Sequence, residues 1–146
     1  MLNKEIIEEI AEQLDTGFNC YVHRGTFNII TVPNLDNYPD IQIEAWSKEK
    51  KEVTKNIGNY LLIESPNSFE SFKIMQDFIE SIDNIDLKNK LSGAIRKHKP
   101  FSNFKIIIDT SGEYRNRWFQ FKRNKLIEMI TENLKIITNS DPHEKE

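Results

Sequence analysis

Basic and aromatic residues are concentrated in the second half of the chain, between Asp86 and Lys125. This window contains eleven Lys or Arg residues against three Asp or Glu, a net charge of +8, whereas the whole chain carries −3. The remaining residues therefore carry −11. Such a distribution fits a surface that binds an acidic protein or a nucleic acid, and it fits equally well two halves that neutralise each other. The candidate binding residues in the window are Arg96, Lys97, His98, Lys99, Lys105, Arg115, Trp118 and Lys122.

The densest group of cations runs from Arg96 to Lys99 and follows a predicted helix. Cations at this place stabilise the negative end of a helix dipole, and they also suit a phosphate or an acidic partner. In the last predicted helix, Arg115 and Lys122 are seven residues apart and share a face, whereas Arg117 points away from them. Trp118 lies beside these cations, where an exposed ring would stack on an unpaired base, although aromatic residues at helical spacing are more often core.

Titratable side chains suggest one alternative, an enzyme of unknown reaction class that uses Asp77, His98 or Glu113 as an acid or base. Their spacing matches no catalytic motif, so the sequence assigns no catalytic residue. Cys20 shares a face of a predicted strand with apolar neighbours, which predicts a buried and inert thiol. The three histidines are isolated and the five glycines form no cluster. We therefore expect neither a metal ion nor a cofactor.

The length of 146 residues fits a single domain over residues 1–137, followed by a flexible polar tail at 138–146. No apolar run approaches the roughly 18 residues of a membrane span, and no signal-peptide pattern opens the chain. A single cysteine suits a reducing compartment. These features predict a cytoplasmic protein that does not enter a membrane.

Hydrophobic periodicity predicts the order of helices and strands. Residues 3–15 form an amphipathic pattern, and two β-prone runs at 18–22 and 27–32 flank a turn, which indicates a hairpin. A third strand is predicted at 60–63. Further helices are predicted at about 68–82, 87–95, 101–108 and 113–137. The fold class is therefore α+β, with a small antiparallel three-stranded sheet packed with a predominantly helical C-terminal half.

One segment of this pattern is ambiguous. Residues 41–45 alternate as a strand does, whereas residues 46–55 have the charged composition of a helix surface, so we predict mostly helix.

The core positions follow from the apolar faces of the predicted elements. They are Ile10, Leu14, Val22, Ile29, Leu62, Phe72, Met75, Phe78, Leu91, Phe101, Phe104, Trp118, Phe121 and Ile130.

The last predicted helix carries apolar residues on several of its faces, and packing against one neighbouring element would cover only some of them. Such a helix is deeply buried, bent or covered by a second subunit. We predict a homodimer contact on the side that carries Ile130, Leu134 and Ile137.

Three short motifs resemble the bacterial uncharacterised protein family 0158. They are Phe72-x-x-Met75-x-Asp77-Phe78, Phe101-x-x-Phe104-Lys105 and Trp118-x-x-Phe121. The resemblance covers most of residues 10–134 and is firmest from Tyr60 onward. It implies a family and no activity. Relatives have a glycine-containing approach to the first Phe of the Phe-x-x-Phe pair, where this chain has Lys97-His98-Lys99-Pro100, so any role of those glycines at a ligand does not carry over.

The sequence favours a non-enzymatic binding module whose basic C-terminal half meets an acidic protein or a nucleic acid. An enzyme that uses Asp77 or His98 is the first alternative. A purely structural or self-associating module, in which opposite charges pair within or between subunits, is the second. The overall isoelectric point near 5.7 weighs against strong non-specific binding of nucleic acid.

Overall fold

The computed structural model describes residues 3–35 and 43–138. The chain divides into two compact units, and each has its own hydrophobic cluster. Unit 1 comprises Met1–Pro66 and Leu126–Glu146, and unit 2 comprises Asn67–Lys125. The predicted tail falls largely outside the described residues, which end at Thr138. That residues 1–137 behave as a single domain stays a prediction.

Unit 1 contains a three-stranded antiparallel sheet in the order β2 (Ile29–Pro33), β1 (Phe18–His23) and β3 (Tyr60–Ile63). Its central strand pairs Cys20 with Thr31 on one side and with Ile63 on the other. The Asn3 side chain caps the first helix by accepting a hydrogen bond from the backbone N–H of Ile6 at 2.9 Å. The elements of unit 1 that precede unit 2 are α1 (Lys4–Asp15), β1 (Phe18–His23), β2 (Ile29–Pro33), a 3₁₀ turn (Ile43–Trp46), α2 (Ser47–Lys55), a 3₁₀ turn (Ile57–Asn59) and β3 (Tyr60–Ile63).

All of the regular secondary structure in unit 2 is α-helical. Asn67 and Glu70 form a reciprocal capping box that begins its first helix, and the Asn84 side chain caps the second. Pro100 occupies the first turn of the third helix, where its missing N–H costs no helical hydrogen bond. The helices are α3 (Ser68–Ser81), α4 (Ile85–Ile95), α5 (Pro100–Ile108) and α6 (Glu113–Thr138), of which the last continues into unit 1.

The core of unit 1 lies where α1 and the C-terminal half of α6 cover one face of the sheet. Cys20 and Val22 are fully buried there, which confirms the predicted strand face. The side chains of Ile130, Leu134 and Ile137 are buried in the same cluster. The prediction of a dimer contact on this side of α6 is therefore wrong, because other elements of the same chain cover these side chains. A homodimer through another surface stays a prediction.

The core of unit 2 is a cluster of aromatic rings around Phe78. The ring of Phe78 lies 5.3 Å from that of Trp118, 5.4 Å from that of Phe121 and 6.3 Å from that of Phe104, measured between ring centres. These edge-on and tilted arrangements are the favourable ones for aromatic pairs. Trp118 and Phe121 remain partly exposed at the margin of the cluster.

The α+β fold with its small antiparallel sheet and helical C-terminal half is confirmed. Two predicted core positions are wrong. Leu62 is 38% exposed because alternation along β3 turns Ile63, and not Leu62, towards the core. Phe101 is 43% exposed because it lies at the margin of the cluster, where its ring makes an edge contact with the partly buried Phe72. Of the ambiguous segment, 41 and 42 lie outside the described residues, and Ile43–Trp46 is a 3₁₀ turn.

Candidate docking surface

The carboxylate of Asp109 joins two of the predicted binding residues across the turn between α5 and α6. Lys105 Nζ lies 2.7 Å from Asp109 Oδ2, and Arg115 Nε donates to Asp109 Oδ1 at 3.3 Å. Lys105 is one helical turn before Asp109, whereas Arg115 comes back to it because the chain reverses at Gly112, which has a positive φ of 64°. The hydrogen bond from Lys105 and, after it, that from Arg115 hold the pKa of Asp109 below its usual range.

Arg115 and Lys122 flank the ring of Phe119 on the exposed side of α6. Arg115 Cζ lies 4.7 Å from the ring centre, and Lys122 Nζ lies 5.6 Å from it. Lys122 Nζ is also 5.5 Å from the ring centre of Trp118. Cations at these distances are attracted to the aromatic faces. The shared face predicted for Arg115 and Lys122 is thus occupied by an aromatic ring between them.

We call the continuous row formed by Lys105, Asp109, Arg115, Phe119 and Lys122 the basic ladder. It holds three cations and one carboxylate, and its aromatic ring is 40% exposed. All of its members belong to unit 2. The ladder can bind carboxylate or phosphate groups through its cations and an apolar or planar group through its ring.

The remaining predicted cations form a second group, the basic turn, which consists of Arg96, Lys97, His98 and Lys99 between α4 and α5. All four are exposed. Asn103 fixes the turn from below, because its Nδ2 donates to the carbonyl oxygens of Ala94 at 3.0 Å and His98 at 2.9 Å. Within residues 3–35 and 43–138, no ion pair or hydrogen bond connects the basic turn with the ladder.

Arg117 points away from the ladder, as its helical position predicts. Its terminal nitrogens lie 3.6 Å from Asp83 and 3.3 Å from Glu113, and its guanidinium covers the ring of Tyr114. The Tyr114 hydroxyl donates to Asp83 at 2.7 Å. That hydrogen bond is the main reason why the pKa of Asp83 is lowered and the pKa of Tyr114 is raised.

The residues suggested for an enzyme lie on separate elements. Asp77 pairs with Lys73 one turn away on α3 at 3.1 Å, Glu113 pairs with Arg117 on α6, and His98 belongs to the basic turn. In the part of the chain that the structure describes, no group of three or more His, Cys, Asp or Glu side chains could hold a metal ion. Burial, and secondarily the charge of Glu9, raises the pKa of the Cys20 thiol to about 12.

Membership of a family follows from comparison with known sequences. The profile of the uncharacterised protein family UPF0158 matches residues 1–141. The chain belongs to this family. It is similar to the UPF0158 protein PA5073 of Pseudomonas aeruginosa, with 25% identity over 123 residues that cover 84% of this chain and 75% of the relative. No solved structure matches the chain significantly.

In this UPF0158 protein, the motifs that carry the family resemblance are mostly parts of one hydrophobic cluster. The residues from the three motifs that pack in it are Phe72, Met75, Phe78, Phe104, Trp118 and Phe121. The motifs therefore specify the packing of unit 2. Lys105, which follows Phe104, is the one motif residue that belongs to the basic ladder.

Three residues of the site, Asp109, Phe119 and Asn103, were not predicted from the sequence. Asp109 could have been found, because it follows the predicted residue Lys105 at the spacing of an ion pair on one helix. Phe119 lies midway between Arg115 and Lys122 in sequence, and only its exposure separates it from a core residue. Asn103 gave no signal, because its role depends on how α4 and α5 pack.

No described helix is long and apolar enough to cross a membrane.

Proposed function

We propose that this UPF0158 protein is a non-enzymatic binding module that docks an acidic segment of another protein on the basic ladder. The observation that carries the proposal is the arrangement of Arg115 and Lys122 around the exposed ring of Phe119. This arrangement offers charge for carboxylates and an apolar surface at the same place. Aromatic and arginine side chains are enriched at the centres of protein interfaces.

The charges of Lys105 and Arg115 are only partly neutralised by Asp109. Asp109 is one carboxylate between the two cations Lys105 and Arg115, and both cations keep about half or more of their side-chain surface exposed. Arg115 uses Nε for Asp109, and within the described residues its terminal nitrogens make no hydrogen bond, so they can bind a partner carboxylate. Hydrogen bonds to carboxylates from an arginine are among the stronger polar contacts in proteins.

Exposed apolar side chains beside these cations favour a protein over a nucleic acid. Ile106 follows Lys105 on α5 and is 66% exposed, and Phe101, one turn before Lys105, is also exposed. An aliphatic side chain such as Ile106 offers no stacking surface to a base but packs well against apolar residues of a peptide. An acidic segment with interspersed apolar residues therefore matches this surface.

Single-stranded nucleic acid is the second candidate partner. The ring of Phe119 is exposed and bordered by two cations, which is the composition of a site that stacks an unpaired base and binds its phosphates. The basic turn would extend such a site with four more exposed residues. The net negative charge of the whole chain opposes either anionic partner, so the exposed apolar side chains beside the ladder decide the order of the two candidates.

Fluorescence anisotropy separates these partners in one experiment. The probes are a labelled peptide of alternating Glu and Leu, a single-stranded RNA and a duplex DNA, each titrated with the full chain from about 25 to about 300 mM salt. We expect salt-dependent binding of the peptide, weakened roughly tenfold or more by Arg115→Glu with Lys122→Glu. The matched control, Lys88→Glu with Lys90→Glu on α4, changes the net charge equally and should have much less effect.

Tighter binding of RNA than of peptide, with the same dependence on Arg115 and Lys122, would favour the second candidate. Equal weakening by the ladder and control variants would mean that net charge alone drives binding and would contradict a docking site on the ladder. No binding of any probe at the lowest salt would overturn the proposal.

A further inference from the structure

A cavity lies in unit 1 between the sheet and α2, on the face of the sheet opposite the hydrophobic core. Because side chains alternate along β1, Cys20 and Val22 face the core whereas Asn19 and Tyr21 face α2. The cavity has a volume of about 360 Å³. It is lined by residues of β1, β2 and the following turn, and of α2 with its flanking 3₁₀ turns, with Trp46 at one end.

The size and apolar walls of the cavity suit a small organic molecule. Its volume equals that of roughly a dozen water molecules in the liquid and falls within the usual range for ligand sites. Val32 and Pro33 from the sheet face Trp46, Val53 and Ile57 from the helical side. An edge contact with Phe18, 6.1 Å between ring centres, positions the Trp46 ring. A planar ligand body would bury apolar surface against these side chains.

Polar side chains line both walls of the cavity. Tyr21 presents a hydroxyl from the sheet, and Lys50 and Thr54, one turn apart on α2, present an ammonium and a hydroxyl. Among the described residues, these three side chains make no hydrogen bond or ion pair with the protein. Lys50 is the one charged side chain among the described lining residues. Among the described lining residues the net charge is therefore positive.

We infer that this cavity binds a small organic anion with an aromatic or similarly apolar body. The acid group would pair with the Lys50 ammonium and accept hydrogen bonds from Tyr21 and Thr54, while the body lies against Trp46 and Val53. The exposure of Lys50 and Thr54 places the acid group at the open side and the apolar body inside. This site is independent of the proposed docking function, since none of its residues belongs to the basic ladder.

The test uses 8-anilinonaphthalene-1-sulfonate, a fluorescent aromatic anion, titrated into the folded full chain. We expect saturable binding of one molecule per chain. Lys50→Met keeps the apolar stem and removes the charge, and it should weaken binding about tenfold. Lys51→Met, an exposed neighbour on the same helix that does not line the cavity, is the matched control and should bind as the original chain does. Near-ultraviolet circular dichroism verifies that each variant keeps its packed aromatic side chains.

A competition experiment tests the charge of the ligand separately. Naphthalene-1-carboxylate should displace the dye at a concentration roughly tenfold or more below that needed with the neutral naphthalene-1-methanol. Equal displacement by the two compounds, or equal affinity of the Lys50→Met and Lys51→Met variants for the dye, would overturn the inference. Absence of saturable dye binding by the folded chain would overturn it as well.

Discussion

The guanidinium group of Arg115 lies over the ring of Phe119, with Cζ 4.7 Å from the ring centre. The same guanidinium donates to Asp109, so one side chain is held by an aromatic face and by a carboxylate. A side chain fixed in this way loses less conformational freedom when a partner binds. This pair is therefore a pre-organised cationic element of the basic ladder and the centre of the proposed docking surface.

We expect Asp109 to limit the affinity of the basic ladder for anions. Asp109→Asn keeps the shape of the side chain and removes the charge that competes with a partner carboxylate for Lys105 and Arg115. We expect roughly fivefold tighter binding of the acidic peptide at low salt. Asp86→Asn, an equal change of charge at an exposed position in the first turn of α4, is the control. Unchanged or weaker binding by Asp109→Asn alone would contradict a partner site at these cations.

Asn103 holds the basic turn against α5. Asn103→Ala removes the donor for two carbonyl oxygens, those of Ala94 and His98. We expect a loss of about 1 kcal/mol in the free energy of unfolding, measured by urea denaturation, because two hydrogen bonds are lost while the Ala94 carbonyl still accepts from the backbone N–H of Lys97 at 3.3 Å. Ser102→Ala, at an exposed neighbouring position, should change the stability much less. Equal effects of the two substitutions would show that the two hydrogen bonds do not stabilise the turn.

The hydrogen bond between Tyr114 and Asp83 should be visible in a titration. Tyr114→Phe removes the main cause of the lowered pKa of Asp83, so that pKa should rise towards the ordinary value. Because a lowered pKa in the folded state stabilises the protein above the ordinary carboxyl pKa, the stability difference between the two proteins should shrink as the pH falls through the lowered value. Carbon-13 NMR of the Asp83 carboxyl group measures the shift. An unchanged pKa would show that the hydrogen bond is not formed in solution.

Cys20 should be chemically inert in the folded protein. Its pKa is raised to about 12, mainly by burial, so the reactive thiolate is scarce and access is blocked. We expect a disulfide reagent such as DTNB to react at pH 8 at least about 100-fold more slowly with the native chain than in guanidinium chloride. Since the raised pKa favours the neutral thiol of the folded state, stability should decline as the pH rises from about 9 towards 12. Rapid labelling of the native chain would contradict the packing of unit 1.

The fold could be predicted from the sequence because its signals are local. Alternation and turn residues mark β1 and β2, and the apolar stripe of α3 with Phe72, Met75 and Phe78 marks a helix face. The errors concern burial, which depends on what packs against each face. Leu62 is an apolar residue in a strand of four residues. The register of that strand with β1 decides on which face of the sheet its side chain lies, and this face leaves it exposed. Phe101 is exposed because it lies at the margin of the aromatic cluster, beside Phe72.

The candidate site could be predicted in part. The shared face of Arg115 and Lys122 follows from helical geometry alone. Their connection to Lys105 does not, because it depends on the turn at Gly112 that brings Arg115 back to Asp109. The cavity beside Lys50 was equally beyond the sequence, since it arises from the way α2 covers the sheet. Contacts between elements distant in sequence are the information that a periodicity analysis lacks.

The most direct test of the docking surface is an NMR titration of the nitrogen-15-labelled full chain with the acidic peptide. The amide signals should shift progressively and most strongly at Lys105, Asp109, Arg115, Phe119 and Lys122, and the shifts should vanish in Arg115→Glu with Lys122→Glu. Shifts concentrated elsewhere in the chain, or none at peptide concentrations that saturate the anisotropy signal, would contradict the assignment of the binding surface to the basic ladder.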